Sequence, residues 1–116
     1  MSNYRHGEIW LINFEPQVET EIKKTRPGLI ISRTEFNRQK QKITVLLFTT
    51  KINQSQGAAR ISVAKSAVNG LSKDSELITI DPVTFDKKRL IKYLGMLESE
   101  LILVVKRKLF LYLDLL

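Results

Sequence analysis

Arg26 stands directly before Pro27 at the end of a polar segment, 19–27. That segment gathers two carboxylates (Glu19, Glu21), three cations (Lys23, Lys24, Arg26) and two threonines (Thr20, Thr25). Apolar runs flank it, Gly7-Glu8-Ile9-Trp10-Leu11-Ile12-Asn13-Phe14 before and Gly28-Leu29-Ile30-Ile31-Ser32 after. The segment therefore reads as a loop between two strands, with the arginine at the mouth of the second. A guanidinium offers parallel N–H donors to a pair of phosphate oxygens and keeps its charge at any working pH. Placed in a positive field, such a group suits binding or cleavage of a phosphodiester. The field is present: seven cations (Lys23, Lys24, Arg26, Arg33, Arg38, Lys40, Lys42) lie between positions 22 and 42, against the single acid Glu35. This stretch carries +6 of the formal +7, so the remainder of the chain is nearly neutral.

Other chemistries are narrowed by composition. The chain has no cysteine, which excludes disulfides and thiolate metal sites. Its one histidine, His6, excludes a histidine-based zinc cluster, and close to the chain start it reads as a surface residue. A pI near 9.8 favours polyanionic partners such as nucleic acid. The longest apolar runs, such as 101–105, are too short to span a bilayer, and the first residues do not lead into a signal-peptide core. The expected location is cytoplasmic, with no membrane contact.

The elements that must hold these residues are short. One domain, 1–116, is expected from the length, with 43% hydrophobic residues supplying a single core. Segments rich in Ile, Val, Leu and Thr predict strands near 8–14, 27–33, 43–50, 60–64 and 76–80, with a sixth near 91–96. The continuously apolar Thr44-Val45-Leu46-Leu47-Phe48 reads as central, and the alternating Arg60-Ile61-Ser62-Val63-Ala64 as half exposed. Asn53 to Gly57 and Val68-Asn69-Gly70-Leu71-Ser72 read as turns, and Asp81-Pro82 ends the fifth strand. Ile102, Val105, Leu109, Tyr112 and Leu116 recur at helical spacing, predicting a helix over about 98–111. The sum is a mainly β fold, a small SH3-like barrel with a C-terminal helix.

Several groups of residues then fall into one order along nearly the whole chain. They are Gly7-Glu8-Ile9-Trp10 with Phe14 and Pro16, Thr20-Glu21, Arg26-Pro27-Gly28 and Phe48-Thr49-Thr50. Asn69-Gly70-Leu71 with Asp74-Ser75, and Thr84-Phe85-Asp86-Lys87-Lys88-Arg89-Leu90, follow. In this order and spacing the chain resembles the MazF/PemK family of toxin endoribonucleases from type II toxin–antitoxin pairs. The resemblance implies a homodimer that cuts single-stranded RNA without metal or cofactor, leaving 2′,3′-cyclic phosphate and 5′-hydroxyl ends. It implies an antitoxin partner, expected to be acidic and partly disordered, that folds onto the basic groove. Carried over by position, the catalytic residues are Arg26 and Thr49, with Thr20 and Glu21 beside them. Charge adds Lys23, Lys24, Arg38, Lys40 and Lys51 as candidates for phosphate contacts. The chain departs from the family pattern at Glu19, where glycine is common, at Ile22, where glutamine is frequent, and at Asp81-Pro82-Val83-Thr84.

Each of these residues also has a plainer reading. Arg26-Pro27 can stiffen a strand start, Thr49 can serve as a β-former, and Glu21 can pair with Lys24 instead of acting as a base. Trp10 suits the core or a dimer interface, and Lys106-Arg107-Lys108 the solvated face of the last helix. Two rival functions share the architecture. A gyrase-inhibiting toxin of the CcdB type would place functional weight near Tyr112 and Leu116, and a catalytically weakened RNA-binding module would bind RNA without cutting it.

Overall fold

The computed structural model describes residues 4–13 and 25–116, with backbone alone at 54–56. In chain order it contains β1 (Glu8–Asn13), β2 (Thr25–Ile30), α1 (Thr34–Gln39), β3 (Lys42–Thr49), β4 (Arg60–Val63), β5 (Ser75–Ile78), β6 (Val83–Asp86), β7 (Leu90–Met96) and α2 (Ser99–Tyr112). The strands form one antiparallel sheet in the order β4-β5-β3-β2-β1-β7, with β6 also paired to β3.

The apolar run at 44–48 lies in the best-connected strand. Ile43 and Val45 of β3 pack with Trp10, Ile12, Ile30 and Leu90, while Leu46 and Phe48 pack on the other face with Ile9, Leu29, Ile61, Val63 and Leu77. A strand buried on both faces cannot alternate apolar with polar, hence its nearly unbroken run. The second cluster is closed by Leu97 and Val105, with Leu101, Ile102 and Leu109 of α2 packed against it. The helical face read from the sequence is thus the buried one as far as Leu109. Tyr112 at the end of α2 is exposed, and Leu116 lies beyond the helix, also exposed.

Some boundaries and elements differ from the reading of the sequence. The second strand runs from Thr25 to Ile30 rather than over 27–33, because the chain turns at Ser32 into α1. α1 has no apolar period to announce it. It is held by buried Asn37, whose Nδ2 donates to the Tyr4 and Ser32 carbonyls while its Oδ1 accepts from the Ser32 hydroxyl at 2.6 Å. A seventh strand, β6, follows Asp81-Pro82. Asp81 adopts a left-handed conformation (φ 61°) and sends the chain back along the first half of β3, where Val83 opposes Val45 and Asp86 opposes Lys42. His6, read from the sequence as a surface residue, is half-buried and tied: its amide donates to Thr34 Oγ1 and its ring Nδ1 lies 3.1 Å from the Ile31 carbonyl oxygen. Lys108 also departs from the solvated face shared by Lys106 and Arg107, since its Nζ donates to the Ala58 carbonyl.

A polar knot joins the turn after β4 to the start of α2. Asn69 is fully buried; its Oδ1 accepts from the Ser66 and Leu71 amides, and its Nδ2 donates to the Ala64 carbonyl and to the Glu98 carboxylate. Ser66 Oγ donates to Glu98 Oε2 at 2.6 Å. Burial opposes the charge on Glu98, but bonds from the Ser66 hydroxyl, its own backbone amide and the Asn69 amide outweigh it and hold the carboxyl below its ordinary value. A depressed carboxyl binds fewer protons in the native state than in the unfolded chain. Its stabilisation is therefore complete above the ordinary carboxylate range and is lost as pH falls through the lowered native value. Denaturation midpoints of wild type and Glu98→Gln should accordingly differ at neutral pH and converge in acid. A gap that stays constant with pH would contradict this role.

Candidate active site

Pro27 creates the cleft. β2 pairs with β3 through Ile30–Val45, Leu29–Leu46 and Gly28–Leu47, and there the ladder stops. Proline has no amide hydrogen to continue it. Beyond this point β2 stays with β1, where Arg26 opposes Ile12, while β3 turns to β5, where Phe48 opposes Leu77 and Thr49 opposes Glu76. The two strands part, and the gap between them is a cleft of about 230 Å³. That volume lies below the usual range for a drug-sized ligand pocket and suits a single phosphodiester entering from an open chain. Thr25, Arg26 and Pro27 form one wall, Phe48, Thr49, Thr50 and Lys51 the other, and Leu71, Ser72, Lys73 and Ser75 the floor.

Each wall has a fixed support. Arg26 is half-buried in a paired strand, so its side chain leaves the backbone in a set direction. The Thr49 hydroxyl accepts from the Lys51 amide at 3.1 Å, and an accepting hydroxyl still has its own hydrogen to donate. Buried Glu76 accepts from the Arg60 guanidinium at 3.0 Å and from the Asn53 amide at 3.2 Å. The same Arg60 Nη1 donates to the Lys51 carbonyl at 2.9 Å. The floor is fixed by the buried Asn69 beside Leu71 and by Ser75 Oγ, which donates to the Lys73 carbonyl.

Of the residues singled out in the sequence, Arg26, Thr49 and Lys51 share this cleft. Thr20, Glu21, Lys23 and Lys24 lie outside the described residues. Arg38 and Lys40 lie elsewhere. They belong to α1 and the turn leading into Lys42, at the opposite end of β3 from Thr49, roughly 24 Å away at strand rise. Lys73 has no signal of its own in the sequence, while Thr25 and Thr50 stand there as members of the polar segment and of Phe48-Thr49-Thr50 without an assigned role. Only the neighbouring groups Asn69-Gly70-Leu71 and Asp74-Ser75 pointed toward the 71–75 loop. Among the described residues no three His, Asp or Glu side chains cluster closely enough to hold a metal ion, and no helix is long and apolar enough to cross a membrane.

The molecule is thus a mainly antiparallel seven-stranded sheet, with a C-terminal helix and a basic cleft where two strands part. Residues 5–113 match the PemK-like, MazF-like toxins of type II toxin–antitoxin systems, and the chain belongs to that family. Solved structures agree on the fold. An endoribonuclease from a mycobacterial species superposes with a TM-score of 0.76 at 18% identity, covering 98% of this chain and 94% of the other. The Mycobacterium tuberculosis toxin MazF-mt6 gives 0.73 at 22% identity, covering 92% and 96%. A chain of a MazE–MazF crystal structure from Deinococcus radiodurans gives 0.72 at 15% identity, covering 94% and 93%.

Proposed function

We propose that the Arg26–Thr49 cleft cleaves single-stranded RNA by attack of a ribose 2′-hydroxyl on the adjacent phosphate. The observation that supports it most is the meeting of Arg26, Thr49 and Lys51 in one open cleft where Pro27 ends the β2–β3 ladder. Attack turns the phosphate into a phosphorane of higher negative charge, while the 2′-oxygen loses a proton and the 5′-oxygen departs. Arg26 stabilises the added charge through two N–H donors, and the Thr49 hydroxyl donates to the same group and fixes its orientation. Lys51 and Lys73 hold the flanking phosphates by charge. The products are a 2′,3′-cyclic phosphate and a 5′-hydroxyl; Glu21, beside Thr20 in the first loop, is the candidate base for the 2′-hydroxyl proton.

The same reading makes the protein a homodimer whose partner in the cell is an antitoxin. The solved MazE–MazF structure and a mycobacterial endoribonuclease in complex with its cognate antitoxin support the second part. Exposed Phe110, Leu111, Leu113, Leu115 and Leu116 around the end of α2 support the first, as an apolar surface larger than scattered single residues. An acidic antitoxin segment would cover the cleft by charge. Incubating the purified protein with single-stranded RNA in EDTA tests the reading: cleavage is the expected outcome. Binding without cleavage would mark an RNA-binding module instead.

A further inference from the structure

We infer that the largely desolvated pair Arg60–Glu76 positions the catalytic wall of the cleft by clamping the turn that follows Thr49. The inference rests on the cleavage reading above, and it concerns residues that touch no substrate.

Three observations meet here. First, Glu76 is the cross-strand partner of Thr49, so the two residues stand side by side on the same face of the sheet. Second, the pair grips the following turn at two further points, through the Lys51 carbonyl on Arg60 Nη1 and the Asn53 amide on Glu76 Oε1. Between those points the Lys51 amide donates to Thr49 Oγ1, so holding Lys51 holds the rotamer of Thr49. Third, the arrangement is costly for mere stability. Both side chains are desolvated, with only 14% and 8% of their surfaces exposed, and buried Arg60 Nε has no hydrogen-bond partner among the described residues. A buried ion pair of this kind is commonly matched or bettered in stability by apolar residues of similar volume. What apolar residues cannot do is donate to the Lys51 carbonyl or accept from the Asn53 amide. The turn 50–53 otherwise lies exposed at the sheet end, where a loop shifts easily. A displacement of one ångström at a reacting group can cost about 100-fold in rate.

The test compares wild type, Arg60→Lys, the apolar double variant Arg60→Met/Glu76→Leu, and each of these in a Thr49→Ala background. Melting temperature, RNA affinity and single-turnover cleavage are measured on all. The double variant removes the buried charges together, so it avoids the unpaired ion that a single truncation would leave. Positioning predicts a folded double variant whose RNA affinity changes by less than about threefold while its cleavage rate falls about 10- to 100-fold. In the Thr49→Ala background the same change should cost less than about threefold, because the group being positioned is gone. Full cleavage by the folded double variant, or an equal loss in both backgrounds, would overturn the inference. Hydrogen exchange of the Lys51 and Asn53 amides gives a readout independent of activity: it should quicken in the double variant, and unchanged protection would also overturn the clamp. Wild-type protein that leaves RNA intact overturns the cleavage reading instead, while the exchange result still decides whether the clamp exists.

Discussion

Arg26→Ala should remain folded and bind RNA, yet cleave it about 100- to 1000-fold more slowly than wild type, a loss of about 2.7–4 kcal/mol of transition-state stabilisation. The reason is the timing of charge. The phosphate in the ground state carries one negative charge that several lysines can meet, whereas the phosphorane carries more, concentrated where the guanidinium donates. Arg26→Lys separates these contributions. It keeps the charge and loses the paired donors, so it should restore affinity far better than rate. If Arg26 only braces β2 beside Ile12, alanine should instead lower the melting temperature and reduce activity in step with the unfolded fraction. Melting temperature, RNA affinity and single-turnover rate on the three proteins separate the two. Full cleavage by a folded Arg26→Ala protein would remove the residue from the chemistry.

The second large effect lies in the backbone. Gly70 has φ +71°, and a Cβ placed on it would come within 2.0 Å of the Leu94 carbonyl oxygen. Gly95 meets the same turn from the other side, its Cβ falling 2.3 Å from the Val68 carbonyl oxygen. The 66–70 turn and β7 therefore touch backbone to backbone, bridged by the Met96 amide on the Val68 carbonyl at 3.0 Å. Neither contact can yield by rotating a side chain. Gly70→Ala adds a left-handed residue and forces the two backbones apart, for an expected loss of about 2–5 kcal/mol. Against a total stability of about 5–15 kcal/mol, this is enough to lower the melting temperature sharply and to disturb the cleft floor at 71–73. Gly57→Ala is the control, because a Cβ there meets nothing within 4 Å. It should change stability by less than about 0.5 kcal/mol. Thermal unfolding of both variants checks the contrast, and a Gly70→Ala protein as stable as wild type would contradict it.

Much of this architecture was legible in the residues, for identifiable reasons. β3 announced itself because burial on both faces leaves no polar alternation, and α2 because Ile102, Val105 and Leu109 keep a helical period. α1 and β6 were not legible. One is six residues held by the side chain of Asn37, and the other is four residues returned to the sheet by a left-handed Asp81. Neither device has a periodic signature. The meeting of Arg26 and Thr49 came from the family resemblance, and the parting of strands after Pro27 supplies its physical cause. Charge misled in one respect: adjacency in sequence is not adjacency in space. Arg38 and Lys40 belong to the most basic stretch, but β3 carries the chain the length of the sheet before it reaches Thr49. The Arg60–Glu76 clamp was invisible because it depends on the register that sets Thr49 opposite Glu76.

One measurement bears most directly on the account. A short single-stranded RNA is incubated with the wild-type protein in EDTA, beside the same strand carrying a single 2′-deoxy nucleotide on the 5′ side of the cut. Attack by the neighbouring hydroxyl predicts cleavage of the all-RNA strand to 2′,3′-cyclic phosphate and 5′-hydroxyl ends. It also predicts comparable binding of the deoxy strand with no cut at that position. Cleavage of the deoxy strand at the same bond, or products bearing a 5′-phosphate, would contradict it.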